Sequence, residues 1–256
     1  MSESTPLSAC IITLNEAHNI AACLESLAFC DEIVVVDSGS TDATCELARG
    51  CGARVVEHPF VGYRAQKDFA VKSARHDWVL SLDADERVTP ALRASIEAAR
   101  ARGFADAAGY RFARATEYFG AFLRHGNAYP DRVLRLFDRR RGGFRGTREI
   151  HEHASVDGQV VTLAGDLEHH AYRSLSDQLR RLERYAQMMA EHMQKTGKTA
   201  HLYKIVLNPF WRFLRGYVLR GGFLDGWRGL IYAYVEANYV RQKFIKHWLL
   251  QHDYLL

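Results

Sequence analysis

The chain has 256 residues, 48% of them hydrophobic, with a formal net charge of +4. That length suits one α/β domain with a helical appendage and supplies a sizeable core. No run reaches about 18 consecutive apolar residues, which excludes a membrane-spanning helix, and the short polar residues 1–6 lack the basic flank and apolar run of a signal peptide.

Residues 7–14 predict a buried strand, because the run is short, apolar and β-branched and ends at polar Asn15 and Glu16. Residues 16–29 predict a helix with Ile20, Cys23, Leu24 and Leu27 on one face. A second strand covers 32–36 and stops at Asp37-Ser38-Gly39-Ser40, after which Thr41 or Asp42 can cap a helix to about Arg49. Residues 53–57 predict a third strand, 63–74 a helix and 78–82 a fourth strand, and Thr89-Pro90 opens a helix to about Arg102. This β-α-β-α-β-α-β order belongs to a parallel sheet covered by helices on both faces. Ligands of such sheets sit beyond the carboxyl ends of the strands.

From about residue 110 the pattern changes. Residues 110–116 and 132–138 predict strands, Gly142, Gly143 and Gly146 mark turns, and short strands near 150–156 and 160–169 complete a mixed sheet. After Ser176 the chain turns helical, with Leu175, Leu179, Leu182, Met189 and Met193 on one face and Gly197 as a stop. Residues 201–219 and 225–252 predict two further helices, the first interrupted at Asn208-Pro209.

Cys10, Cys23, Cys30, Cys45 and Cys51 form no C-x-x-C pair and read as small buried thiols in a reducing compartment. Charge is uneven: residues 111–148 hold ten Arg and three acidic residues, residues 201–256 hold eight Lys/Arg and three acidic residues, and the remainder is acidic. A basic back half points to an anionic partner, for which nucleic acid, phospholipid and a phosphorylated glycan all qualify.

Acidic residues stand after several strands: Glu16 after the first, Asp37 after the second, and Asp83, Asp85 and Glu86 after the fourth. In an extended chain Asp83 and Asp85 project the same way. Two hard carboxylates suit Mg²⁺ or Mn²⁺ and leave positions for diphosphate oxygens.

Residues 7–42 and 78–88 resemble glycosyltransferase family 2, whose fold is GT-A. The resemblance implies a Rossmann-like α/β domain with a mixed, mainly parallel sheet, helices on both faces and a C-terminal helical extension. Residues 1–172 are then the catalytic domain, with a nucleotide-sugar half over about 1–105 and an acceptor half over about 106–172, and residues 173–256 are the amphipathic helical region. By matching motif, Asp37 holds the nucleoside and Asp83 and Asp85 bind the metal-diphosphate. Thr13, Asn15, Glu16, Gln66 and Lys67 match segments beside the donor. Glu149-Ile150-His151-Glu152, Leu167-Glu168-His169-His170, Asn208-Pro209-Phe210 and residues 221–226 are similar to one bacterial branch, the lipopolysaccharide-core β-1,4-glucosyltransferases. That likeness implies transfer of glucose from UDP-glucose to a glycolipid, by single displacement with inversion.

In that branch the base is on the acceptor side, which makes Glu152 the first choice and Glu149 the alternative. His170 is implied as a further metal or diphosphate ligand, with His169 as its competitor. Arg132, Arg135 and Arg148 lie near the acceptor side in sequence and suit phosphate contact. In the tail, Phe210, Trp211, Tyr217, Trp227 and Trp248 interleave with Arg212, Arg215, Arg220, Arg241 and Lys246. Helices of this kind can lie in an anionic membrane interface, so the expected place is peripheral, at the inner face of the cytoplasmic membrane, with no nucleic-acid partner. A nucleotidyltransferase is the competing enzyme class, although Ile12-Thr13-Leu14-Asn15-Glu16 stands where its Gly-rich loop belongs. A catalytically inactive membrane-binding module is the competing non-enzyme.

Overall fold

In the computed structural model, which describes residues 5–144 and 153–254, the first part of the chain alternates strand and helix. The order is β1 (Leu7–Thr13), α1 (Ile20–Glu25), β2 (Glu32–Asp37), α2 (Thr44–Gly50), β3 (Arg54–Glu57), α3 (Tyr63–Ser73), β4 (Trp78–Asp83), β5 (Glu86–Val88) and α4 (Pro90–Ala101). There follow β6 (Gly109–Thr116), β7 (Asp131–Asp138), β8 (Gly142–Phe144), β9 (Ala154–Val156) and β10 (Val160–His169). Period-two geometry sends Ala9, Ile11, Leu80 and Leu82 into one apolar layer and Cys10, Val34, Val36 and Val79 into another. α1 and α4 cover the first layer with Leu24, Leu92 and Ile96, and α3 covers the second with Ala70 and Val71. Each such Leu or Ile, fully buried, contributes about 1.5–3 kcal/mol.

Eight strands form one sheet in the order β3-β2-β1-β4-β7-β6-β10-β5, and β8 and β9 form a separate pair. β3, β2, β1 and β4 run parallel, while β4–β7 and β10–β5 pair antiparallel. Only Ala84 and Asp85 link β4 to β5, yet three strands separate them in the sheet. Three Cα steps reach about 11 Å, whereas four flat strand spacings need about 19 Å. The sheet must therefore curl until edge strand β5 returns to the end of β4.

The chain divides into two compact units, Met1–Arg114 with Arg132–His170 and Ala115–Asp131 with Ala171–Leu256. The second unit contains α5 (Leu175–Lys195), α6 (Tyr203–Phe213), a π-helical stretch Leu214–Leu219, a 3₁₀ turn Gly222–Asp225 and α7 (Gly226–Gln251). Tyr118, Leu123 and Ala128 pack there with Tyr172, Ile231 and Tyr232. No helix among the described residues is long and apolar enough to cross a membrane.

Several expected elements differ. The first helix starts at Ile20 rather than residue 16, because the N–H groups of Asn15, Glu16 and Ala17 donate to the side chains of Ser40, Thr44 and Asp42. Gly142 and Gly143 lie in β8 rather than in a turn. A Cβ on Gly142 would come within 2.3 Å of the Ser155 carbonyl, so the close β9 backbone requires glycine there. In α5 the buried stripe is Gln178, Ala186, Ala190 and Met193, while Leu175 and Leu179 are exposed. Gln178 can be buried because its Oε1 accepts from the Tyr118 hydroxyl (2.8 Å). The helix continues through Pro209, whose ring is buried, and widens only at Leu214. Cys10 and Cys23 are buried, with thiol pKa values pushed up by burial, but Cys51 is exposed.

Gly165 fixes where β10 passes α4. Its φ is +91°, and a Cβ would lie 2.3 Å from the Leu92 backbone nitrogen. Next to it, Asp166 O accepts from the Thr89 hydroxyl (2.7 Å), which also caps α4 by accepting from the Leu92 N–H (3.2 Å). Gly165→Ala combines a left-handed backbone with a backbone clash and is expected to cost roughly 2–3 kcal/mol. Urea unfolding of the variant measures that loss.

Candidate active site

β2, β1 and β4 end at one level: Thr13 lies opposite Asp37, and Ile12 opposite Asp83. The residues that follow these strands converge on the edge where such sheets bind ligands. Asp37 is buried and organises its own loop. Its Oδ2 accepts from the N–H groups of Gly39 (2.9 Å) and Ser40 (2.8 Å), and its Oδ1 from the Ser40 hydroxyl (2.5 Å). Asn15, at φ +55°, joins this loop to the one after β1: its N–H donates to Ser40 Oγ (2.8 Å) and its Oδ1 accepts from the Thr41 N–H (2.8 Å). Gln66 is fully buried and donates to Ser38 Oγ (3.0 Å) and to the His58 carbonyl (3.1 Å). Thr13, Asn15, Glu16, Asp37 and Gln66, all expected beside a donor, thus belong to one braced edge.

The Asp-x-Asp turn is built differently at its two carboxylates. Asp83 Oδ1 lies 2.9 Å from Lys67 Nζ, and its Oδ2 accepts from Arg135 Nη2 (2.8 Å). Burial opposes the Asp83 charge, but the Lys67 and Arg135 cations outweigh it and hold the carboxyl far below the ordinary carboxylate range. Arg135 also donates to Glu86 Oε1 (2.8 Å), as does Arg114 (3.0 Å), and Glu86 Oε2 accepts from the Asp83 N–H (3.0 Å). Arg135 was expected to meet phosphate; it is only 6% exposed, and its guanidinium joins two carboxylates. Arg132, the other described candidate for that role, is exposed.

Asp85 is reached through β10. The antiparallel pairing sets His169 opposite Glu86, at the start of β5. His169 Nε2 then lies 3.6 Å from Asp85 Oδ2, and the His170 N–H donates to the Asp85 carbonyl (2.8 Å). The His170 ring points instead to Glu168, 3.7 Å away, as expected for consecutive residues at a strand end. Among the described residues no group of three or more His, Cys, Asp or Glu side chains is gathered as a metal cage. Asp83, Asp85 and His170 are therefore not a preassembled triad. A hard carboxylate with an adjacent imidazole nevertheless fits a cation that takes its remaining ligands from phosphate oxygens. Glu149, Glu152 and Arg148 lie outside the described residues.

Residues 8–141, which include Asp37, Asp83 and Asp85, match the family described as Glycosyl transferase family 2. The chain belongs to that family. This glycosyltransferase is 34% identical over 251 residues to the lipopolysaccharide core biosynthesis glycosyltransferase LpsC of Rhizobium meliloti, with 93% of each chain covered. It is 30% identical over 241 residues to an uncharacterized glycosyltransferase of Rickettsia typhi, covering 90% of this chain and 82% of that one. Its fold is similar to that of the mannosyltransferase PcManGT from Pyrobaculum calidifontis, with a TM-score of 0.55 at 16% identity, over 96% of this chain and 88% of the other. Membership sets aside the nucleotidyltransferase reading. The sequence motifs do not reveal the Arg114–Glu86–Arg135 chain behind Asp83, nor the His58–Gln66 contact (3.0 Å).

Proposed function

We propose that this glycosyltransferase moves a hexose, glucose from UDP-glucose, onto a lipopolysaccharide-core glycolipid with inversion at the anomeric carbon. The observation that carries the reading is the Asp83-Ala84-Asp85 turn at the carboxyl end of β4, with Asp83 held ionised by Lys67 and Arg135 and Asp85 beside His169. The name of LpsC supports a lipopolysaccharide-core acceptor. The PcManGT complex contains GDP-Man and Mn²⁺, which supports a nucleotide-sugar donor and a divalent cation.

Asp85, with His169 or His170, would hold Mg²⁺ or Mn²⁺, which supplies neutralisation of the charge developing on the nucleoside diphosphate. Thr13, Asn15, Glu16, Asp37, Gln66, Lys67 and Asp83 orient the donor. Glu152, or in its place Glu149, takes the proton of the acceptor hydroxyl while that oxygen bonds to the anomeric carbon and the bond to the diphosphate breaks. Arg132 and Arg148 meet acceptor phosphate. In this reading residues 1–172 perform transfer and residues 173–256 hold the enzyme at an anionic membrane surface on the cytoplasmic side.

UDP release from UDP-glucose, with a truncated heptose-bearing lipopolysaccharide and with or without Mg²⁺ or Mn²⁺, tests the proposal. Release that needs both metal and acceptor is expected; metal-independent release would remove the cation from the mechanism. Glu152→Gln should keep donor binding and lose transfer by roughly 10²–10⁴-fold, the range of general-base catalysis. Transfer at a near-normal rate would move the role to Glu149.

A further inference from the structure

We infer that the exposed apolar face of α6, continued by the turn at residues 219–224, is the surface that enters the headgroup–acyl boundary of an anionic membrane. This deepens the reading of a membrane-borne acceptor and rests on it.

α6 is turned the opposite way from a helix on a water-facing protein. At 100° per residue, Tyr203, Val206, Leu207, Phe210 and Trp211 share one face. That face is open: Val206 is 68% exposed, Phe210 63% and Trp211 54%. The charged residue Arg212 points inward instead, where its guanidinium meets the buried Glu236 carboxylate. Leu219, Phe223 and Leu224, which follow α6 in the chain, are apolar too and each more than half exposed. Side chains of this size, exposed together, present on the order of 500 Å² of apolar surface, at the upper end of what a water-soluble monomer leaves uncovered.

Charge identifies what covers this surface. Residues 203–224 contain Lys204, Arg212, Arg215 and Arg220 and no Asp or Glu. Arg215 and Arg220 are exposed. A second copy docked by a two-fold axis would bring this basic segment against itself. An anionic bilayer instead neutralises the cations and accepts the aromatic rings. Exposed Tyr203 and Trp211 are the amphipathic types that favour the interface.

The test is flotation of the full chain with vesicles of phosphatidylethanolamine and phosphatidylglycerol, and separately with phosphatidylcholine alone. Val206→Ser/Phe210→Ser/Trp211→Ser should reduce partition at least about 10-fold, with thermal unfolding unchanged because all three side chains are exposed. Arg215→Gln/Arg220→Gln should weaken binding about 30-fold on anionic vesicles only, each cation near the surface being worth about 1 kcal/mol. A triple variant that floats like the parent overturns the inference. So does a dimer in lipid-free sedimentation that the triple variant converts to monomer, since a second copy then covers α6. Equal binding to both vesicle types overturns the anionic part. Flotation needs no sugar substrate, so intact flotation without transfer would sink the acceptor reading alone. A parent chain that does not float with anionic vesicles, yet transfers normally to a water-soluble acceptor, would sink this inference alone.

Discussion

Asp85→Ala is expected to abolish sugar transfer, by about 10³-fold or more, while leaving the fold intact. Asp85 sits in the two-residue link between β4 and β5, its carboxylate facing His169. Truncation there leaves untouched the ion pairs that hold the link, which run through Asp83, Glu86 and Arg135. Asp83 substitutes poorly, because Lys67 and Arg135 already hold both of its oxygens. A carboxylate that anchors a diphosphate-bound cation is worth several kcal/mol of transition-state stabilisation, and each 1.36 kcal/mol is about tenfold in rate. The measurements are UDP release with acceptor present, Mn²⁺-dependent UDP binding by calorimetry, and thermal unfolding. Loss of the first two with unchanged unfolding places Asp85 at the donor phosphates. Transfer within a few-fold of the parent would assign the cation to other residues.

The chemistry at the carboxyl end of β4 is legible in the sequence because it is local. A buried run ends at Asp83-Ala84-Asp85, and the short apolar runs at 7–14 and 78–82 already imply a sheet covered on both faces, as the two apolar layers show. What surrounds that turn is not local. His169 reaches Asp85 through the pairing of β10 with β5, a strand of three residues, too short to leave a periodic signal. Arg135 reads as a surface cation, and only the fold buries it between carboxylates 52 and 49 residues away in sequence. The helices show a related failure. Leucine spacing suggests one face of α5, but the Tyr118 hydroxyl allows Gln178 inward, and the small Ala186 and Ala190 occupy the buried stripe. On α6, Arg212 turns in because Glu236 of α7 awaits it, and no pattern within residues 203–213 announces that partner.

Glu86→Ala is expected to lower the unfolding free energy by about 3–5 kcal/mol, the usual cost of leaving a buried charge without its counter-charge. Glu86 is fully buried. It accepts from Arg135, Arg114 and the Asp83 N–H, so its removal takes an acceptor from three donors at once. Arg135 would keep Asp83 but remain buried with half of its compensation. Urea unfolding measures the loss. A second variant separates stability from function. Replacing both members of a buried pair by apolar side chains of similar volume is often near neutral, so Glu86→Met/Arg135→Met should recover most of the stability lost in Glu86→Ala. It should not recover donor binding, because Asp83 then loses Arg135 and its backbone N–H lacks the Glu86 acceptor. Recovery of both stability and UDP affinity would make the Arg114–Glu86–Arg135 chain a support for the fold only. Recovery of stability alone would show that these ions hold the Asp-x-Asp turn in the position that binds the donor.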